Sequence, residues 1–104
     1  MVRSMVLMPL ADLPQGRGRH CRVGDLDLAL FRVGDAVHAI ADSCPHQGAS
    51  LANGALEGYW VACPAHGLKF DVRSGCSRAA AALRNQSFAT RVVDGCVVLD
   101  LPAA

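Results

Sequence analysis

Two short cysteine–histidine motifs constrain this chain more than any other feature of its sequence. The first is Cys44-Pro45-His46, the second is Cys63-Pro64-Ala65-His66, and 16 residues separate the two motifs. Thiolate and imidazole ligands together suit zinc or iron, whereas carboxylate ligands suit magnesium or calcium. The single residue between Cys44 and His46 is tight for two ligands of one tetrahedral ion, and a pair of irons would relieve that strain. The motifs therefore predict a zinc or iron centre.

The composition is that of one globular domain. Apolar residues make up 52% and charged residues 18% of the 104 residues, which is too apolar and too weakly charged for a disordered segment. Ten Lys and Arg residues against nine Asp and Glu residues give a formal charge of +1, and no basic run forms a stripe for phosphate groups. We expect a single domain over residues 1–104 that does not bind nucleic acid.

The sequence lacks the segments typical of export or membrane insertion. Residues 1–10 contain no sustained apolar run followed by a small-residue cleavage site. The longest near-apolar stretch, residues 26–33, is interrupted by Asp27 and Arg32 and is far shorter than the roughly 20 residues of a membrane helix. Five cysteines, an odd number, favour a metal role in a reducing compartment over a disulfide scaffold. We expect a cytoplasmic protein with no membrane partner.

Short segments rich in β-branched and aromatic residues, separated by turn dipeptides, favour strands along most of the chain. The dipeptides Gly24-Asp25, Gly34-Asp35 and Asp94-Gly95 supply the positive-φ residues that tight hairpins need. Residues 12–14, together with Gly16 and Gly18, are predicted to form a surface turn or one turn of helix rather than a strand. Residues 42–75 are predicted to form a loop-built insert with two short strands. The eight predicted strands are Ser4–Met8, His20–Val23, Leu26–Val33, Val37–Ala41, Tyr59–Cys63, Lys69–Val72, Phe88–Val93 and Val97–Leu101.

The order Cys-x-His, sixteen residues, Cys-x-x-His, with glycine shortly after each motif, resembles the signature of Rieske proteins. The resemblance implies an all-β fold, an antiparallel β-sandwich or barrel. A small cluster-binding subdomain of two loops, about residues 42–76, would be inserted in its basal β-domain. It also implies one [2Fe–2S] cluster per chain, with Cys44 and Cys63 on one iron and His46 and His66 on the other. Both loops must then converge on the cluster.

The positions around the motifs differ from those of the high-potential relatives found in respiratory complexes. Where such relatives carry two further loop cysteines, this sequence has Ala49 and Ala65. Where they carry Ser and Tyr, it has Leu68 and Phe70. Because fewer hydrogen bonds then reach the cluster sulfurs, the resemblance implies a potential in the low part of the roughly −150 to +300 mV Rieske range.

Small size, low potential and the lack of a membrane anchor make the chain similar to the ferredoxin component of bacterial ring-hydroxylating oxygenase systems. The resemblance implies a one-electron carrier, not itself an enzyme. It would act as a monomer between a flavin-dependent NAD(P)H reductase and a terminal oxygenase, an aromatic-ring dioxygenase or similar, and bind each transiently. The loop tips are nearly uncharged, so docking is expected to depend on shape and apolar contact; their residues are Pro45, Gln47, Gly48, Pro64, Ala65 and Gly67.

Two alternatives stay open. The small accessory subunit of NAD(P)H nitrite reductases resembles Rieske proteins but in many cases lacks the ligands, whereas this chain keeps all four. A zinc-binding interaction module could use the same Cys₂His₂ set, and metal analysis separates it at once because zinc gives a colourless protein.

The remaining cysteines and histidines are predicted to lie outside the metal centre. A lone Cys or His is more often a packed or surface residue than a ligand, and this applies to Cys21, Cys76, Cys96, His20 and His38. The loop at residues 76–84 lacks the proline that many such ferredoxins carry there. It is predicted to cover the cluster loosely.

Overall fold

The computed structural model describes residues 2–42, 50–64, 68–78 and 84–102. Within these ranges most residues lie in strands, with two 3₁₀ turns at Leu10–Asp12 and Leu51–Asn53. None of the helical turns described is long and apolar enough to cross a membrane. The strands are β1 (Val2–Pro9), β2 (Gly18–Val23), β3 (Leu26–Val33), β4 (Ala36–Ala41), β5 (Leu56–Glu57), β6 (Trp60–Ala62), β7 (Lys69–Asp71), β8 (Ser87–Val93) and β9 (Cys96–Pro102).

Six of the strands form one antiparallel sheet in the order β1-β9-β8-β4-β3-β2. Three of its connections are two-residue hairpins at the predicted dipeptides. The residue with positive φ is Gly24 in the first turn and Gly34 in the second, whereas both Asp94 and Gly95 have positive φ in the third. The predicted hairpins are thus confirmed, and their turns fix the register of the strands that they join.

Strand β3 is buried on both faces. Its side chains alternate between the two sides of the sheet, so Leu28 and Leu30 enter one core cluster while Ala29 and Phe31 enter another. All four residues are fully buried. An uninterrupted apolar run is the expected sequence of a strand covered on both sides. The six-stranded sheet therefore separates two cores, which we call the basal core (Leu28 side) and the site core (Phe31 side).

A second antiparallel sheet, in the order β5-β6-β7, covers the site core. Val61 pairs with Leu56 on one side and Phe70 on the other, and this row faces inward. The neighbouring row contains Trp60 and Asp71, which pair with each other and are partly exposed. The small sheet thus presents an apolar face to β3 and a polar face to solvent.

The all-β, antiparallel fold class is confirmed, and all eight predicted strands are present with ends that differ by up to two residues. Gly18 begins β2 instead of lying in a turn, and Cys63 directly follows β6 instead of ending it. The strand Leu56–Glu57 was not predicted, because two residues are too few to show alternation. Leu13, placed in a surface turn by the sequence, is fully buried in the basal core. Most of the predicted loop at 76–84, residues 79–83, lies outside the described residues.

Candidate metal centre

Cys63 is the predicted ligand that the structure describes. It directly follows β6, is 1% exposed, and packs in the site core with Val61 and Phe70. Its backbone N–H donates to the carbonyl oxygen of Leu68 at 2.7 Å. The hydrogen bond holds together the two ends of the second motif, where β6 leads to β7. The Cys63 thiol is therefore fixed at the base of this motif and shielded from water.

The other predicted ligands, Cys44, His46 and His66, lie outside the described residues. So do most of the loop-tip residues named above, whereas Pro64 is described and exposed. In the part of the chain that the structure describes, no three His, Cys, Asp or Glu side chains are arranged to hold a metal ion. The described cysteines and histidines thus form no separate centre among themselves.

Three other cysteines are partly buried thiols outside disulfides, namely Cys21, Cys76 and Cys96. Cys21 packs against the basal core. Burial raises the pKa of the Cys21 thiol, because desolvation disfavours the thiolate, and the nearby Arg19 charge opposes this only in part. A thiol with a raised pKa is a poor nucleophile and a poor ligand at neutral pH, in keeping with the structural role predicted for it.

The buried carboxylate of Asp42 joins the described segments that precede and follow residues 43–49. Asp42 directly follows β4, and its side chain is 3% exposed. One carboxylate oxygen accepts from the Ser50 hydroxyl at 2.7 Å, and the other accepts from the Ala52 backbone N–H at 2.7 Å. The Asp42 backbone N–H donates to the carbonyl oxygen of Asp27 at 2.8 Å. The end of β4 and the 3₁₀ turn at Leu51–Asn53, which flank residues 43–49 in the sequence, are thus tied together.

A third set of contacts joins residues 75–78 and 84–86 to the end of β4 and to β7. The backbone N–H of Asn85 donates to Gly75 at 2.8 Å, and the Asn85 side-chain amide donates to the carbonyl oxygen of Ala41 at 3.4 Å. Gly75 has φ +81°, and a Cβ there would lie 2.0 Å from the Asn85 carbonyl oxygen, so this approach requires glycine. Arg78 in turn donates its N–H to Lys69 at 2.8 Å.

These hydrogen bonds connect the ends of both motifs through the site core. Residue 41 precedes the first motif and contacts Asn85, while Lys69 follows the second motif and contacts Arg78. Asp42, Ser50 and Asn85 hold these segments together, and no local sequence pattern marks any of them. Asp and Asn are common surface residues, and only their burial at 8% and 6% exposure reveals the role.

A group of polar side chains joins the two sheets on the side of the site core. The His38 ring on β4 meets the Tyr59 ring edge-on, with centroids 5.7 Å apart. The Arg73 guanidinium lies 4.0 Å from the centre of the Tyr59 ring and binds the Asp71 carboxylate at 2.9 Å. The hydrogen bond from Arg73 lowers the pKa of the Asp71 carboxyl. Nε2 of His38 is buried without a hydrogen-bond partner among the residues described.

The His38 environment disfavours the imidazolium. Desolvation by burial lowers the His38 pKa, the nearby Arg73 charge lowers it further, and Asp71 opposes both effects. His38 was predicted to be structural or on the surface, and it is a partly buried residue at the contact between the sheets.

Comparison with known proteins places this fold and site in a family. The sequence model of the Rieske [2Fe–2S] domain matches residues 3–93. The chain therefore belongs to the Rieske [2Fe–2S] domain family, and the cofactor of this family is a [2Fe–2S] cluster. The resemblance inferred from the two motifs is confirmed.

Within this family the chain is similar to ferredoxin components of dioxygenases. It is 35% identical to the 3-phenylpropionate/cinnamic acid dioxygenase ferredoxin subunit of Escherichia coli (strain K12) over 100 residues, 92% of each chain. It is 48% identical to Ferredoxin CarAc of Metapseudomonas resinovorans over 66 residues, a match that spans only 62% of either chain.

Solved structures of relatives share the fold. A chain in the complex of reduced oxygenase and oxidized ferredoxin in carbazole 1,9a-dioxygenase superposes with a TM-score of 0.83 and is 34% identical, over 92% of this chain and 91% of that one. A nitrite reductase small subunit from Mycobacterium tuberculosis, described as putative and NADH-dependent, superposes with a TM-score of 0.92 at 23% identity, over 100% of this chain and 99% of that one. At that identity the second likeness shows the fold alone.

The lowered pKa of His38 predicts that the stability of the fold decreases at acidic pH. Replacing His38 by the neutral Gln should remove this part of the pH dependence. The neutral imidazole is favoured in the folded state, so its stabilising contribution is present above the unfolded pKa of 6.5 and is lost as pH falls through the lower folded value. We expect the melting temperature of the wild type, measured by circular dichroism, to fall relative to that of His38→Gln between about pH 7 and pH 5.

The comparison carries its own control, because both proteins keep His46, His66 and His20. Between about pH 7.5 and 8.5 the difference in melting temperature should stay constant, since His38 is neutral in both states of the wild type. A difference that stays constant down to pH 5 would show that His38 does not sense pH in the fold.

Proposed function

We propose that this chain carries single electrons from a flavin-dependent NAD(P)H reductase to the terminal oxygenase of a ring-hydroxylating system. The observation that carries the proposal is the similarity to a dioxygenase ferredoxin subunit over 92% of both chains. The likeness to a chain in a complex of oxygenase and ferredoxin supports the choice of the oxygenase as a partner. In this role the chain is an electron-transfer component, and the reaction on the organic substrate belongs to the oxygenase.

We further propose that Cys44 and Cys63 bind one iron of the cluster and that His46 and His66 bind the other. When bound, the cluster supplies a centre that takes up and releases one electron at a time. The donor set fits it, because two thiolates and two imidazoles are the ligands that a Rieske cluster requires. The buried position of Cys63 and the anchoring of the first motif by Asp42 support this assignment.

The described residues near Cys63 favour a low reduction potential. Phe70 is fully buried in the same core cluster as Cys63, and Leu68 packs against that cluster. Neither side chain has a hydroxyl to donate to a sulfur atom, and donors of that kind stabilise the reduced, more negative state. We therefore place the potential in the low part of the Rieske range, where transfer to a terminal oxygenase is favourable.

We also propose that residues 1–104 form one Rieske domain, with a cluster-binding subdomain at about residues 42–76. The separate three-stranded sheet over Leu56–Asp71 supports this division. The chain would work as a cytoplasmic monomer that binds its partners transiently. In the described ranges the large exposed apolar side chains are Val6 on β1, Tyr59 in the turn before β6, and Val92 and Val93 on β8. Scattered residues of this kind are normal on a monomer.

The two alternatives from the sequence receive less support. The likeness to a nitrite reductase small subunit extends to the fold and no further, because the sequence identity is 23%. The zinc module shares the donor residues, but the family match implies an iron–sulfur cluster. The electron-carrier proposal is therefore the one that agrees with the motifs, the fold and the relatives together.

Replacing Cys63 by Ser should abolish cluster binding, because the thiolate is lost with little change in volume. We expect the purified Cys63→Ser protein to lack visible absorption and iron, while Cys76→Ser keeps both. The wild type should take up one electron per two irons in an anaerobic reductive titration. Circular dichroism verifies that both variants retain their strands. Full iron content in Cys63→Ser, or a bleached Cys76→Ser, would show that the proposed ligand set is wrong.

Adding a hydroxyl at Phe70 should raise the reduction potential. High-potential relatives carry Tyr at the position of Phe70, so Phe70→Tyr should place a donor near the cluster. One net hydrogen bond of roughly 0.5–1.5 kcal/mol corresponds to a rise of about 20–60 mV for a one-electron centre. The measurement is a spectroelectrochemical titration at constant pH.

Phe88→Tyr is the matched control for that titration. Phe88 packs against the basal core, on the other side of the six-stranded sheet, and its new hydroxyl should leave the potential unchanged. An unchanged potential in Phe70→Tyr, or an equal rise in both variants, would contradict the account of the low potential.

A further inference from the structure

Three basic residues lie in the described segments that border residues 65–67 and 79–83. Lys69 follows residues 65–67 with one residue between, and Arg78 and Arg84 flank residues 79–83. Their backbones lie in adjoining segments, because the Arg78 backbone N–H donates to the Lys69 carbonyl oxygen at 2.8 Å and Arg84 forms a β-bridge with Cys76. Arg78 and Arg84 are exposed, and Lys69 is partly buried. We call these three residues the basic rim.

The charges of the basic rim are not neutralised within the described chain. All Asp and Glu residues of the sequence fall in the described ranges, and none forms an ion pair with Lys69, Arg78 or Arg84. Asp71, two residues after Lys69, is bound by Arg73. The Arg78 guanidinium lies 5.6 Å from the centre of the Trp60 ring. This cation–π contact does not neutralise the positive charge of Arg78.

Lys69 is the one basic residue of strands β5, β6 and β7, and it lies at the end of the small sheet nearest Cys63. Lys69 pairs with Ala62, the residue before Cys63, whereas Asp71 pairs with Trp60 in the row further away. Residues 43–49, 65–67 and 79–83 contain no Asp, Glu, Lys or Arg. On the flank of the first motif, Asp42 is buried and hydrogen-bonded, and Asp27 is paired with His20 and Arg22.

We propose that the basic rim is a docking surface for an acidic face of an electron-transfer partner protein. The inference rests on the proposed function, since it takes the ligand loops to be the site of electron exit. Electron transfer needs a close approach to these loops, whose tips are nearly uncharged and offer little long-range attraction. Unpaired surface charges within about one Debye length, roughly 8–10 Å, steer an oppositely charged partner to this end of the molecule.

The rim adds to the shape-dependent contact predicted for the loop tips. The charges of the rim determine which partner surfaces reach this end of the molecule and in which orientation. A basic partner face would be repelled at the same place, so the rim also selects between partners.

Two double variants with the same net charge distinguish an effect of the rim charges from an effect of the net charge of the protein. Lys69→Glu/Arg84→Glu reverses two rim charges and leaves Arg78 on Trp60 untouched. Arg3→Glu/Arg17→Glu reverses two exposed charges on β1 and on the loop before β2. Each pair changes the formal charge from +1 by −4, to −3. A visible spectrum like that of the wild type verifies that both variants carry the cluster.

The first readout is the stopped-flow rate at which the dithionite-reduced protein reduces ferricyanide. One electron passes from the reduced cluster to the Fe(III) of ferricyanide and gives ferrocyanide. We expect the rate of the wild type and of the control variant to fall as salt is added. The rim variant should be slower than the control by at least about threefold at low ionic strength, and its rate should rise with salt.

The second readout uses poly-L-glutamate as an acidic polypeptide. It should slow ferricyanide reduction by the wild type and the control, because it occupies the rim, and should have little effect on the rim variant. Equal rates in the two variants, or no effect of poly-L-glutamate on the wild type, would overturn the docking proposal. A wild type without an iron–sulfur spectrum would instead overturn the proposed function and this inference with it.

Discussion

The burial of β3 on both faces is the constraint on which the rest of this structure depends. A strand with one polar face can leave that face to water, but Ala29 and Phe31 must be covered as fully as Leu28 and Leu30. Fully burying a side chain such as Phe31 contributes roughly 1.5–3 kcal/mol. The small sheet supplies the cover on the Phe31 side. Because Cys63 directly follows its middle strand, the contact that completes the fold also positions a predicted cluster ligand.

Buried polar groups then define the geometry of the site. A carboxylate or amide removed from water destabilises the fold unless it is hydrogen-bonded, and both Asp42 and Asn85 meet that requirement through segments that border the ligand loops. The approach of Asn85 to Gly75 allows no Cβ. These contacts hold the described segments on either side of residues 43–49 and 79–83 in fixed places. Stability and function thus depend on different residues of the same framework.

The sequence predicted those features that leave a local pattern. Alternation located the strands, turn dipeptides located the hairpins, and the spacing of the two motifs led to the Rieske family. Features that depend on distant partners were missed: the buried Leu13, the hydrogen-bonding role of Asp42, and the contact of His38 with Tyr59. None of these residues is unusual in its local sequence. Only the folded chain shows that each is buried or faces a particular partner.

Pulsed EPR of the dithionite-reduced protein, labelled with ¹⁵N-histidine and purified without oxygen, tests the central claim most directly. The account predicts a reduced [2Fe–2S] signal with strong couplings to two histidine nitrogens, which are lost together with the cluster in His66→Ala. Couplings to two nitrogens would establish that two histidines bind the cluster, and their loss in His66→Ala but not in His38→Gln would support His46 and His66 as the ligands. A [2Fe–2S] signal without histidine nitrogen coupling, or a protein that contains zinc and no iron, would contradict the account.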